Sequence, residues 1–211
     1  MDVTSVAAIA MMMAIAAALY SSVGHGGASA YLAIMALFSV APETMRPTAL
    51  ALNLVVAGLA ALSFARQGQT NFRLLAAFAV TAVPAAFVGG LIQLPSELYR
   101  PLVGIVLIAA GAGEAGGGIF LSPLIILFGW EEPRKTSGVA AAFIFFNSAA
   151  GLAGNYAGVQ ALPAELPIFV GAVAAGALLG IWGGASRLPR HRLLQALGLV
   201  LVIAGFKLLL T

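Results

Sequence analysis

The sequence predicts an all-α fold, a polytopic bundle of transmembrane helices. The first observation is compositional. Hydrophobic residues make up 62% of the chain and charged residues only 8%, whereas a soluble domain carries roughly 25% charged residues. Such a chain cannot cover itself with a wetted surface. The second is the length of the apolar runs, which suits helices and shows none of the period-2 alternation of a barrel. The third is a glycine-rich break that occurs twice, as Ser21-Ser22-Val23-Gly24-His25-Gly26-Gly27 and as Gly113-Glu114-Ala115-Gly116-Gly117-Gly118. Clustered glycines free the backbone to leave the helix. In a bilayer, such a break survives where protein or a water-filled cavity satisfies the freed backbone groups.

The 211 residues make one membrane domain, 1–211. The absence of cysteine excludes disulfides and thiolate chemistry. The net charge of +3 is spread over short loops, which reads as membrane orientation and not as nucleic-acid binding. The start, Met1-Asp2-Val3-Thr4, lacks the basic region of a cleaved signal peptide, so the first apolar stretch is expected to be retained.

Nine apolar segments follow in order. Residues 3–20 run into the first break. Residues 28–40 are too short to cross ~30 Å of hydrocarbon comfortably, and suit half of a re-entrant hairpin or a short tilted helix. Residues 47–65 begin with a proline at a plausible first helical turn. The polar loop 66–73 leads to 74–92, and the turn Leu94-Pro95-Ser96-Glu97 leads to 98–111. After the second break come 119–130, 136–156, 164–185 and 193–210, the last preceded by the basic turn Arg187-Leu188-Pro189-Arg190-His191-Arg192.

The two halves match at an offset of 94: Asn53 falls on Asn147, Gly89-Gly90 on Gly183-Gly184, Leu94-Pro95 on Leu188-Pro189, Gly104 on Gly198 and Ala110-Gly111 on Ala204-Gly205. Upstream, Gly26-Gly27 and Leu37-Phe38 match Gly116-Gly117 and Leu127-Phe128 at an offset of 90. Repeat one is therefore 1–111 and repeat two 112–211, the latter lacking a counterpart of the first helix. Interrupted segments at corresponding positions of two halves point to a transporter site at the repeat interface. Charge leaves the orientation open. Simple alternation sets Arg46, Arg100, Arg134, Lys135, Arg187, Arg190 and Arg192 against Arg66, Arg73 and Lys207. Inverted repeats set Arg66, Arg73, Arg134, Lys135, Arg187, Arg190 and Arg192 against Arg46, Arg100 and Lys207. The inverted arrangement is favoured because alternating access is commonly built that way.

The run Gly116-Gly117-Gly118-Ile119-Phe120-Leu121-Ser122-Pro123, followed by Pro133, Thr136-Ser137 and Asn147, resembles the sulfite exporter TauE/SafE family of membrane transporters. Gly24-His25-Gly26-Gly27, Pro42, Thr48, Asn53 and Arg66-Gln67-Gly68 look like its diverged first half. The resemblance implies export or uptake of small anions such as sulfite, organosulfonates and related sulfur or carboxylate compounds. It also implies a multi-pass protein of the prokaryotic inner (plasma) membrane. His25 stands where a small residue is more usual, and Ala33 stands roughly where the second copy has Pro123.

The candidate substrate-binding residues are Gly24, His25, Gly26, Gly27, Thr48, Asn53, Gly116, Gly117, Gly118, Ser137 and Asn147. A small oxyanion needs donors, and half-helix N-termini offer free N–H groups and a positive dipole end. Glycines let the backbone approach the ligand. The asparagine amides and the Thr48 and Ser137 hydroxyls can add donors, although asparagines in apolar helices also serve as interhelical glue. His25 is an intramembrane ionisable group and so a candidate for proton coupling; a neutral histidine bonded to a backbone carbonyl is the plainer reading. Gly89-Gly90 and Gly183-Gly184 read as close-packing faces. Met11-Met12-Met13 points in three directions and reads as helix filling, not as a metal stripe.

The expected function is secondary transport of small anions by alternating access, with a passive anion channel or pore as the alternative. No Gly-x-Ser-x-Gly or His-Glu-x-x-His motif supports an intramembrane enzyme. Expected partners are the small anion, protons or another coupling ion, and the lipid bilayer, with a homodimer as a candidate assembly. No cofactor, metal or nucleic acid is expected.

Overall fold

The computed structural model describes residues 2–21, 26–115, 125, 128–155, 162–183 and 190–210. Among these, every regular element is an α-helix: α1 (Val3–Ser21), α2 (Ala28–Leu37), α3 (Pro42–Arg66), α4 (Phe72–Leu91), α5 (Ser96–Ala115), α6 (Pro133–Gly154), α7 (Leu166–Gly183) and α8 (Arg190–Leu210). Four stretches are long and apolar enough to cross a membrane, namely α1, α3, α4 and residues Lys135–Gly154 of α6. α2, at ten residues, spans about 15 Å, half the hydrocarbon thickness.

Two helix boundaries differ most from the sequence reading. α3 starts at Pro42, five residues before Pro47. Extended Ala41 acts as its N-cap, with Pro42 in the first turn, where a missing N–H costs nothing. Pro47 lies inside the helix instead. α5 runs through Gly111 and Gly113 to Ala115, so the second glycine-rich stretch does not break the helix at residue 113. Isolated glycines cost a helix only about 1 kcal/mol each, and the apolar segment before them carries the helix on. Gly116 to Gly118 lie outside the described residues.

Both α2 and α3 end in the same way. Val40 donates its N–H to the Met35 carbonyl and Ser39 to that of Ala36, with Ser39 at φ +56°. Gln69 donates to Phe64 and Gly68 to Ala65, with Gly68 at φ +67°. These are six-to-one and five-to-two closures around a left-handed residue, which satisfy carbonyls the helix leaves orphaned. Trp130 donates to Ile125 in the same six-to-one manner, with Gly129 at φ +65°.

The core is built from α1, α2, α3, α5, α7 and α8, with Tyr20, Tyr31, Ile9, Met13, Met35, Met45 and Leu52 among its fully buried side chains. Met11 is exposed and Met13 buried, so the methionine triplet does diverge around the helix. Small residues set the helix approaches. α1 and α7 run side by side in one direction, Gly176 against the Ala14 carbonyl and Gly180 against that of Ala18. Ser21 Oγ donates to the Ala177 carbonyl at 3.1 Å. α4 and α6 also run parallel, Gly90 and Phe87 meeting Gly151 and Gly154. α5 and α8 run in opposite directions, with Gly104 against Gly205 and Gly111 against Gly198. Gly90 is thus the packing glycine foreseen. Gly89 is not: a methyl there would meet open space, and its carbonyl instead accepts from Arg46 Nη2 at 2.6 Å.

Polar contacts gather the loops at the two ends of the bundle. At one end, Asn71 Nδ2 donates to Glu131 Oε2 at 2.5 Å, and Gly138 packs on the Gln69 carbonyl. At the other, Ser96 Oγ donates to Glu43 Oε1 at 2.5 Å, Arg46 Nη1 donates to the Ile92 carbonyl at 2.9 Å, and Lys207 Nζ donates to the Leu37 carbonyl and Ser39 Oγ at 2.7 and 2.9 Å. Positions 66, 73, 134, 135, 190 and 192 therefore belong to the first end, and 46, 100 and 207 to the second.

Candidate functional site

The central feature is the crossing of α3 and α6 beside the N-terminus of α2. The two long helices run in opposite directions: Leu50 faces Gly151, Asn53 faces Ser148 and Gly58 faces Phe145. Both helices carry a polar residue at this level within an otherwise apolar stretch. Asn53 Nδ2 donates to Ser148 Oγ at 2.8 Å in a buried contact. Such a bond in lipid contributes about 0.6–1.7 kcal/mol to helix association. Asn53 Oδ1 is buried and makes no hydrogen bond.

That unpartnered oxygen lies against Gly26. A methyl added at Gly26 would overlap Asn53 Oδ1 and touch Ile144. Any larger residue here must displace the asparagine, because the backbone entering α2 comes directly onto its side chain. α2 then begins at Ala28 with Gly27 as N-cap, and no side chain caps it. Among the described residues, no side chain bonds its first-turn N–H groups, which lie at the positive end of the helix dipole.

The predicted residues distribute as follows. Gly26, Gly27 and Asn53 come together. Asn147 lies beside Ser148 on the same helix, and its Oδ1 is buried without a partner. Thr48 is fully buried, with Oγ1 unpartnered, about 7.5 Å along α3 from Asn53. Ser137 lies in the first turns of α6, about 15 Å along the helix from Asn147 and beside the loop that carries Thr70. Gly24, His25, Gly116, Gly117 and Gly118 lie outside the described residues. The sequence reading missed Ser148, the actual partner of Asn53; its only signal was its place next to Asn147. It also missed the role of Lys207, whose ammonium bonds the Leu37 carbonyl at the C-terminus of α2, the negative end of that dipole.

Among the described residues, no group of three or more His, Asp or Glu side chains could hold a metal ion. Glu131, in the loop before α6, has its carboxyl held below its ordinary value of 4.5, chiefly by the Asn71 amide. The contact is therefore fully made above the ordinary carboxylate range and lost as the pH falls through the lowered value.

A bundle of apolar helices, one of them half a membrane long and uncapped beside buried amides, defines a multi-pass membrane protein with an interior polar site. The comparisons name the group. The family model for sulfite exporter TauE/SafE matches residues 9–113 and 108–208, and the chain belongs to that family of membrane transporters. It is 32% identical to the probable membrane transporter protein y4hK of Sinorhizobium fredii (strain NBRC 101917 / NGR234), covering 98% of this chain and 99% of that one. The alignment has 244 positions, while 98% of 211 residues is about 207, so about 37 positions have no residue here. That is enough for one membrane helix and its loop. No solved structure matches the chain.

Proposed function

We propose that the chain is a secondary transporter of small anions such as sulfite, organosulfonates or related sulfur and carboxylate compounds. It works by alternating access between repeats 1–111 and 112–211, inverted with respect to each other, in the inner membrane of a prokaryotic cell. The observation that carries the reading is the uncapped N-terminus of α2, set against buried, incompletely bonded amides where α3 crosses α6. Free N–H groups at a helix start favour an anion, and an asparagine turned so that its Nδ2 faces the ligand donates to it without the permanent trap of a buried cation.

Several contacts support the repeat. α4 and α5 start at 72 and 96, α7 and α8 at 166 and 190, an offset of 94 in both cases. Shifting the pair Gly104–Gly205 by that offset, and exchanging its members, returns the pair Gly111–Gly198. A two-fold axis that exchanges antiparallel helices lies across them and hence in the membrane plane, the hallmark of inverted repeats. The left-handed Ser39 after α2 recurs as the left-handed Gly129, at an offset of 90.

The test is thermal stabilisation of the detergent-purified chain by sulfite, thiosulfate, sulfoacetate, sulfate and lactate, followed by flux into liposomes. Stabilisation by at least one anion, with accumulation driven by an imposed proton gradient, is the expected result. Stabilisation by cations alone overturns the anion reading, and flux that only equilibrates favours a pore.

The end that gathers Arg66, Arg73, Arg134, Lys135, Arg190 and Arg192 is assigned to the cytoplasm by the positive-inside rule. The cysteine-free sequence makes the check simple. Exposed Gln93, at the opposite end, changed to cysteine should react with a membrane-impermeant maleimide in intact cells. Exposed Gln67, changed likewise, should react only after permeabilisation. The reverse labelling pattern overturns the assignment.

A further inference from the structure

Tyr31 lies in the first turn of α2 and is completely buried. A long side chain on a helix leans back toward the helix N-terminus, and Tyr31 does so. Its phenol folds over Gly27, so that a methyl at Gly27 would overlap the ring and its hydroxyl. The Tyr31 hydroxyl makes no hydrogen bond. By contrast, Tyr20 OH, at the end of α1, lies 3.2 Å from Ser29 Oγ. A buried hydroxyl without a partner costs about 1–3 kcal/mol, so its retention at the entrance to α2 calls for a partner that is not always present.

Two unpartnered buried groups therefore flank consecutive residues, Asn53 at Gly26 and Tyr31 at Gly27, whose Cα atoms are 3.8 Å apart. Gly27 is also the N-cap of α2, where no side-chain cap bond is made. The Asn53 amide can serve an anion equally well once turned over: Ser148 then donates to Oδ1, and Nδ2 faces Gly26.

We propose that Tyr31 is a substrate-binding residue, its hydroxyl and the Asn53 amide donating to one oxyanion seated on the N-terminal N–H groups of α2. The proposal rests on the anion-transport reading above. It makes the site asymmetric. At the offset of 90, Tyr31 falls on Leu121 and Ser29 on Ile119, so neither hydroxyl recurs at the matching sequence position. The class this fits is a compact oxyanion, sulfite or a sulfonate or carboxylate head group, presenting an oxygen at the end of α2.

The experiment compares the full chain with Tyr31→Phe, and with Tyr99→Phe as a tyrosine control on α5. Each is titrated with sulfite, thiosulfate and sulfoacetate while the melting temperature is followed. Ligand stabilisation grows with the ratio of concentration to Kd, so the titration reads affinity. The expected result has two parts. Without anion, Tyr31→Phe melts at the same temperature as the parent or higher, because an unpartnered hydroxyl has gone. With anion, it needs at least tenfold more ligand for the same shift, as removal of a hydrogen bond to a charged group implies, while Tyr99→Phe follows the parent. Unchanged affinity in Tyr31→Phe overturns the assignment and leaves anion transport standing. A lower melting temperature without anion also overturns it, because the hydroxyl then has a structural partner. A parent chain that none of the three anions stabilises overturns this proposal, and the transport reading falls with it only when sulfate and lactate fail as well.

Discussion

Replacing Gly205 with valine is expected to prevent recovery of folded protein from detergent extracts. The Cβ of any residue at 205 would lie 2.6 Å from the Gly104 carbonyl and 2.7 Å from Ile108. The first neighbour is backbone in the opposing helix, so no side chain can swing away to make room. α5 must separate from α8 along the crossing, and Gly111–Gly198 lies on the same interface, where a Cβ at 111 would be 2.6 Å from the Gly198 carbonyl. Overpacking of a well-packed interior costs about 1–3 kcal/mol, or more where the backbone must move. Gly89→Ala is the matching control. Its Cβ would meet nothing within 4 Å, and alanine gains about 0.5–1 kcal/mol over glycine inside a helix. Size-exclusion profiles and melting temperatures of the two variants should move in opposite directions. A monodisperse Gly205→Val with the parent's melting temperature would show that the α5–α8 contact is not close.

The second large effect concerns Asn53. Asn53→Leu keeps the volume and removes both the bond to Ser148 and the polar atom beside Gly26. If Asn53 served only to join α3 to α6, Ser148→Ala would be equivalent, because it breaks the same 2.8 Å hydrogen bond. We expect inequality. Both variants should lose a similar, modest amount of stability, within the 0.6–1.7 kcal/mol range of membrane hydrogen bonds. Anion uptake into liposomes should fall at least tenfold in Asn53→Leu, and less than threefold in Ser148→Ala. Equal losses of uptake in the two variants would reduce Asn53 to helix glue.

The bundle itself was legible because the lipid environment leaves a chain few choices. Runs of apolar residues must be helices, and polar turns must separate them. The boundaries of α4 and α8 fell within a few residues of the segments read. α3 was harder, because two prolines compete for its first turn and only the extended Ala41 decides for Pro42. The glycines were legible as repeats but not as contacts. Gly104 and Gly198 match in sequence, yet each packs against the other's neighbour in the pattern, Gly205 and Gly111. Asn53 was legible from its repetition at 147, whereas its bond goes to the residue beside that copy. Tyr31 gave no signal at all, since a tyrosine in an apolar helix reads as packing. Only the missing hydrogen bond distinguishes it, and a sequence does not display missing bonds.

The clamp of Lys207 on the end of α2 has an electrical consequence. Lys207 ties Leu37 and Ser39 to the end of the bundle, and α2 extends inward from there by about 15 Å. Gly27 thus lies about half the thickness of a ~30 Å hydrocarbon layer from that end. A monovalent anion reaching that point from either side traverses about half of the membrane voltage, roughly 1.1 kcal/mol for each 100 mV. Occupancy of such a position is biased by the resting potential without any charged gate in the protein. For the anion transport proposed above, the length of one short helix thereby sets how strongly the cell's voltage acts on a bound anion.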